Sequence, residues 1–350
     1  MKESPLVSPT YGGVAIDMMG SDLGPEELFD GVRLALKNFS DITPFILVGD
    51  GDLLSSLLSK YHLEQHPKLS VFHASQVIEM DDKPIQSLKQ KKDASMIRAL
   101  ELIQARAASA VLSCGNTGSL MAGSTLKLRP IPGIERPAMA SIIPSSEGYF
   151  ILADVGANPQ SSPMHLAHNA LLATVYCQKV LQIASPRVGL LTIGTEEGKG
   201  NELIQKAHEK LKQLSAIIHY VGLIEGFHLF SDHVDVVICD GFTGNVLLKS
   251  MESLASYLKA FAKKEFLRNP LRAFGALCSR GAFEAIKTKL SSERYGAAPL
   301  LGLNGTVFKA HGSSNAKVIS YAIHMASEVS RIGIQNDEAE LICRAKALLK

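Results

Sequence analysis

Asp17, Cys114, Asn116, Asp154, Asn158, Lys199, Asp240, Asn245, His311 and Ser313 are the side chains best placed to do chemistry. Each stands where an apolar run gives way to glycine and small polar residues. Val111-Leu112-Ser113 turns into Cys114-Gly115-Asn116-Thr117-Gly118-Ser119 and then into a helical pattern. Backbone N–H groups at a helix start bind anions, and glycine lets the anion come close. The loop therefore suits a phosphate or an oxyanion; it equally suits an ordinary turn with Asn116 or Thr117 as the helix cap. Lys199 lies between Gly198 and Gly200, where it can reach an anion as a point charge or sit in a solvated turn. His311, followed by Gly312-Ser313-Ser314, can move a proton or bond a carbonyl oxygen, or belong to a capping loop. No G-x-S-x-G elbow surrounds Ser313, so it is not read as a nucleophile. Cys114 at a helix start would favour a thiolate, but a buried structural cysteine is the plainer reading. Asp17, Asp154 and Asp240 each end an apolar run. They could collect Mg²⁺. The favoured alternative is that they receive loop N–H bonds or orient basic side chains, and no metal is expected.

The elements behind these loops are legible. Short continuous apolar runs recur at 14–17, 45–50, 70–73, 111–113, 139–143, 150–154, 188–193, 217–220, 234–240 and 306–309. Continuous runs mark strands buried on both faces. Helical patterns lie between many of them, as at 164–183 and 201–214. The expected class is α/β, a large mostly parallel sheet sandwiched by helices. Ligands of such sheets bind at the carboxyl ends of strands. Six loops of one style are therefore expected to build one shared site. None is a GxGxxG loop in a βαβ unit or a Walker A sequence.

Composition narrows the classes. The 350 residues are 46% hydrophobic, enough for a large core without disulfides, and the five cysteines lack metal spacing. A reduced, cytoplasmic setting is expected. Residues 1–11 read as a flexible tail and 12–345 as a single domain. No apolar run reaches the roughly 18 residues of a spanning helix. A net charge of +2 argues against a nucleic-acid partner. Residues 255–290, however, carry eight basic and two acidic side chains. Apolar residues at helical spacing (Leu247, Met251, Leu254, Leu258, Phe261) run into this basic stretch. Together they suggest a projecting helical hairpin over about 254–290 with a greasy tip. Leu258, Leu271 and Phe274 with Lys263, Lys264, Arg268 and Arg272 would suit an anionic membrane or an acidic partner. A dimerisation arm or core-facing helices is the alternative.

Taken together, the segments AIDMMGSD, HASQVIEMDDKP with KKDASM, SCGNTGSLMA, PGIERPA, DVGAN, GTEEGKGNEL, CDGFTGNVLLKS, and GAAPLLGLNG with HGSSNA are ordered from Ala15 to Ala316. This order resembles the PlsX family of phosphate acyltransferases. The departures are Ser21 for a second glycine, Pro159-Gln160-Ser161-Ser162 after DVGAN, and Asn315 for a common Asp. The resemblance implies an isocitrate/isopropylmalate dehydrogenase-like fold and a homodimer without cofactor. It implies transfer of a long-chain acyl group from acyl-acyl carrier protein to inorganic phosphate for phospholipid synthesis. It also implies work at the inner membrane face, beside a glycerol-3-phosphate acyltransferase. Expected catalytic residues are then Lys199, His311 and Asn245. Phosphate ligands are expected among Gly115, Asn116, Thr117, Gly118, Asn158 and Ser313, with Asp17, Asp154 and Asp240 in support. A metal- and NAD-dependent dehydrogenase on the related fold, whose nucleotide signature the loops lack, a phosphate acetyltransferase-like enzyme using acyl-CoA and a non-catalytic membrane scaffold are the competing readings.

Overall fold

A computed structural model describes residues 12–196, 198–290 and 296–349; the expected tail, 1–11, lies outside the described residues. The chain opens with β1 (Gly13–Asp17), α1 (Pro25–Asn38), β2 (Phe45–Gly49), α2 (Gly51–Lys60) and β3 (Leu69–His73). Then come α3 (Pro84–Gln90), α4 (Ser95–Gln104), β4 (Ala108–Ser113) and α5 (Thr117–Leu128). The hairpin β5 (Ala138–Pro144) and β6 (Tyr149–Ala153) leads to α6 (Pro163–Val180), β7 (Arg187–Thr192), α7 (Glu202–Gln213), β8 (His219–Glu225) and β9 (Val236–Ile238). Three helices follow: α8 (Gly241–Phe266), α9 (Pro270–Cys278) and α10 (Arg280–Leu290). A second hairpin, β10 (Ala297–Leu301) and β11 (Thr306–Ala310), precedes α11 (Ala316–Ile332) and α12 (Gln335–Ala345).

Eleven strands form one sheet in the order β3-β2-β1-β4-β11-β10-β5-β6-β9-β7-β8. Seven of the ten neighbouring pairs are parallel. Side chains alternate across the pleat. Val14, Ile16, Phe45, Leu47, Ala110 and Leu112 enter one core with α1, α6, α11 and α12. Ala15, Ile46, Val48 and Val111 enter the other with α4 and α5. Continuous apolar runs arise because both faces are covered.

Three expectations need correction. The β10–β11, β10–β5 and β5–β6 pairings are all antiparallel, and three reversals make β6, β9, β7 and β8 run opposite to β1–β4 and β11. The six loops follow carboxyl ends in two strand blocks of opposite direction, not one edge of one parallel sheet. β10 was not expected. It contains Pro299, which has no N–H to give; its pairing with β5 begins only at Leu300. The basic segment also differs from the expected hairpin. Its first helix, α8, begins at Gly241 because Asp240 accepts the Thr243 N–H at 2.9 Å and caps it there. The tip is built from two short helices rather than one.

Glu338 is the one titratable residue of α12 that is fully buried; it receives the Gly302 N–H, and burial pushes its pKa up to about 8 from 4.5. The folded state therefore binds a proton that the unfolded state has lost. Stability from this group is complete below about pH 4.5 and is lost as pH rises through about 8. Glu338→Gln should flatten that decline and raise the melting temperature at pH 9, with little change at pH 4. Parallel pH dependence in the two proteins would refute it.

Candidate active site

The first loop group caps β1, β4 and β11. Asp17 is buried at its floor and accepts from Ser95 Oγ (2.6 Å), Ser113 Oγ (2.7 Å) and the Met19 N–H (3.3 Å). Desolvation pushes its pKa up, opposed by the two serines. Ser113 Oγ in turn accepts the Gly115 N–H at 3.1 Å. Gly20 packs so close that a Cβ would lie 2.8 Å from the Gly115 nitrogen, so any side chain there would part the loops after β1 and β4.

Asn116 caps α5, accepting the Ser119 N–H at 2.9 Å. Its Nδ2 donates to the carbonyls of Met80 (2.7 Å) and Asp82 (3.2 Å). Its amide thus holds the 79–82 loop and is not a free oxyanion donor as expected. The amides of Thr117 and Gly118 remain without intrahelical partners at an exposed helix start. His311 belongs to the same group: Asp22 N–H donates to Gly312 O at 3.0 Å, and Met80 packs against Gly312. The Ser313 N–H donates to His311 Nδ1 (3.3 Å), and Ser313 Oγ lies 2.8 Å from the same nitrogen. An amide can only donate, so Nδ1 accepts and the neutral ring carries its hydrogen on Nε2. Cys114 is buried and desolvation lifts its thiol to about 12, which makes it structural.

The second group caps β6, β7 and β9. Asp154 is buried and accepts the N–H groups of Gly156 (3.0 Å), Ala157 (2.8 Å) and Asn158 (2.8 Å). Burial still raises its pKa. Asn158, expected to meet phosphate, is only 4% exposed. Its Nδ2 is committed to Asp154 (3.0 Å) and Pro137 O (2.8 Å), so it shapes the loop instead. Asn245 Nδ2 donates to Val155 O at 3.1 Å, which ties the first turns of α8 to this loop. Asp240 bonds Thr243 Oγ1 as well as its N–H. Lys199 is exposed, with its stem across Gly194 and no ion-pair partner among the described residues. It belongs with Asn245 and Asp154 to the loops of this block, whereas Asn116 and His311 belong to the loops of the other. Among the described residues, no three His, Cys, Asp or Glu side chains converge as a metal ion would need.

From Asn245 an open groove of about 610 Å³ runs along α8 to Tyr257. Beyond it the apolar side chains are uncovered: Leu258 is exposed, Leu271 is 80% exposed and Phe274 64%. Lys263 and Lys264 face solvent, while Arg272 and Arg268 share Glu265 at 2.6 and 3.5 Å. No helix among the described residues is long and apolar enough to cross a membrane. Sequence reasoning gave Lys309 no role. It is a half-buried lysine inside an apolar run, and that oddity was its only signal.

A mixed sheet of this order, with glycine-rich loops on two opposed strand blocks, defines the structural class of the phosphotransacylases and their dehydrogenase-like kin. A phosphotransacetylase from Streptococcus pyogenes superposes with a TM-score of 0.60 at 15% identity, covering 91% of this chain and 94% of that one. The EutD phosphotransacetylase from Staphylococcus aureus gives 0.57 at 14%, covering 92% and 95%. A 4-hydroxythreonine-4-phosphate dehydrogenase from Burkholderia phymatum gives 0.50 at 14%, covering 91% and 99%. At these identities the likeness is one of fold. In sequence, the family described as fatty acid synthesis protein matches residues 13–336. A phosphate acyltransferase from Thermoanaerobacter pseudethanolicus is 44% identical, covering 89% of this chain and 92% of its own. Another from Clostridioides difficile is 38% identical, covering 95% and 96%. The chain belongs to the PlsX family of phosphate acyltransferases.

Proposed function

We propose that the protein transfers a long-chain acyl group from acyl-acyl carrier protein to inorganic phosphate, releasing acyl phosphate for phospholipid synthesis. The observation that carries the reading is a set of outward donors on loops whose other polar groups are internally satisfied. They are the Thr117 and Gly118 amides and His311 Nε2 in one group, and Lys199 with the second amide hydrogen of Asn245 in the other.

Both groups line one cleft in this reading. β4 and β9 are five steps apart in the sheet. Each step rotates a strand by roughly 20–25°, so the twist accumulates to on the order of 100–125°. A twist of that size would turn a formal reversal into an acute angle, so that the carboxyl ends of both blocks can open toward the same side. Lys199 holds the phosphate dianion beside the thioester. A phosphate oxygen attacks the carbonyl carbon; the carbon–oxygen bond forms and the carbon–sulfur bond breaks. Preorganised amides, with Gly115, Ser313 and Asn245 around them, stabilise the oxyanion. His311 Nε2–H donates a hydrogen bond to the leaving sulfur as negative charge builds on it; the departing thiolate then takes up, through solvent, the proton that the phosphate group loses. Asp17, Asp154 and Asp240 hold the loops.

Residues 12–345 act as one unit, paired with a second copy as a homodimer. The tip of the arm rests on the cytoplasmic face of the membrane, where a glycerol-3-phosphate acyltransferase consumes the product. Turnover of acyl-acyl carrier protein with phosphate, compared with acyl-CoA and with acetyl-CoA, tests the reaction. A preference for acetyl-CoA would move the protein to the phosphotransacetylase reading, and no turnover with any donor would leave the scaffold. Replacing Leu271 and Phe274 with Glu should release the protein from anionic liposomes at least tenfold, while activity on soluble substrate survives. Each basic residue near an anionic surface contributes about 1 kcal/mol and each buried CH₂ about 0.8, so both terms are needed. Unchanged co-sedimentation of the double variant would remove the arm from membrane binding.

A further inference from the structure

We propose that Lys309 is a positioning residue of this reaction, its ammonium tying the loop after β4 to the loop after β11 so that the His311 imidazole is held against the start of α5. The proposal rests on the acyl-transfer reading for its kinetic part alone. Lys309 lies opposite Ser113 in the β11–β4 register. Its Nζ donates to the Cys114 carbonyl at 3.1 Å and to the Ala310 carbonyl. Those two carbonyls immediately precede Gly115 and His311. One cation therefore fixes the last rigid atom before each chemically active loop. The loop after β1 is joined to the same floor, because Ser113 Oγ and Ser95 Oγ both donate to Asp17, which also accepts the Met19 N–H.

A neutral side chain could bridge two carbonyls, but the setting calls for charge. Lys309 faces Asp17 from β1, Asp22 from the loop after β1, and the Cys114 thiol at the end of β4. Desolvation is the largest influence on it and draws its pKa below that of an ordinary lysine; the acids and the thiol oppose the shift. The cross-tie thus titrates at lower pH than a surface lysine would. Losing its charge leaves Asp17 without its nearby cation, in a site that already disfavours the carboxylate.

Three measurements decide the matter, on the full-length protein. The first needs no substrate. In ¹⁵N-imidazole spectra of the wild type, His311 (assigned through His311→Asn) should show the Nε2–H tautomer. In Lys309→Met it should average between tautomers, as the Ser313 turn loosens. The second is kinetic. Lys309→Met should lower kcat on the order of 10- to 100-fold, with the phosphate KM changed less than threefold. The third uses Lys309→Arg, which keeps the charge and cannot deprotonate in the assay range. Wild-type kcat should fall on the alkaline side through an ionisation below the ordinary lysine range, and Lys309→Arg should lack that fall. A folded Lys309→Met protein with wild-type tautomer and kcat within threefold overturns the proposal. If Lys309→Met does not fold, an alkaline limb retained in Lys309→Arg overturns it instead. If the wild type turns over no acyl donor, the proposed function fails, and the tautomer comparison still decides the cross-tie.

Discussion

A Lys199→Met protein should fold like the wild type and lose turnover on the order of 10²–10³ in kcat/KM for phosphate. The lysine is exposed, and its stem lies across Gly194. Removing its charge therefore leaves no buried group unpaired, and the melting temperature should move by no more than a degree or so. In the proposed reaction phosphate is a dianion that must lose solvent beside a thioester, and a fixed cation would replace that solvent. The loss should appear mainly as a higher phosphate KM. His311→Ala should behave in the opposite way, lowering kcat with phosphate KM retained, because Nε2 meets the leaving sulfur only as the bond breaks. Steady-state kinetics over a wide phosphate range separates the two patterns. Unchanged KM and kcat in a folded Lys199→Met protein would exclude the loop after β7 from the site.

The second large effect is one of packing. Gly244→Ala places a methyl 1.9 Å from the Asp154 carbonyl oxygen and 2.8 Å from Cys239 Sγ. Both are fixed: the first belongs to backbone, the second to a buried strand end. The first turn of α8 must then lift from β6 and β9, taking Asn245 with it. Overpacking of this kind costs about 3 kcal/mol or somewhat more. Urea denaturation should show a clearly lower midpoint together with lost turnover. Gly275→Ala supplies the control, since nothing lies within 4 Å of a Cβ there and alanine favours a helix by about 1 kcal/mol. Equal midpoints for Gly244→Ala and the wild type would show that α8 is free to shift.

Most strands could be read from the chain because both faces of the sheet are covered, so strands became unbroken apolar runs. Val14 to Asp17 and Phe45 to Gly49 are examples. Strand direction was harder. It turns on what joins two runs, and Ser145 to Gly148 joins β5 to β6 with no helix between them. That short turn was the signal for a hairpin, and with it for the reversal of the second block. The candidate site was legible as loops but not as partners. Asn116 and Asn158 have the residue types that bind phosphate. Their amides are taken by carbonyls 21 to 36 residues away in sequence, which no local pattern discloses. Lys309 escaped notice for the complementary reason: its significance lies wholly in the loops it joins. β10 hid behind Pro299, because a strand between two neighbours seldom carries proline.

The helix α8 packs at its start against the loop that holds Asp154 and ends at the exposed tip. It has 26 residues, and at 1.5 Å per residue it is a rod roughly 39 Å long. A rod of that length sets a clearance. If it stands upright on a lipid surface, the reacting loops are suspended well above the headgroups. One leaflet of hydrocarbon is only about 15 Å deep, half of the bilayer core. An acyl chain of matching length cannot keep its head at Asn245 and its tail in the lipid across that gap. On the proposed membrane role, delivery without passage through water requires the rod to lie nearly flat, and inclination, more than adhesion, would then govern how the greasy product is handed over.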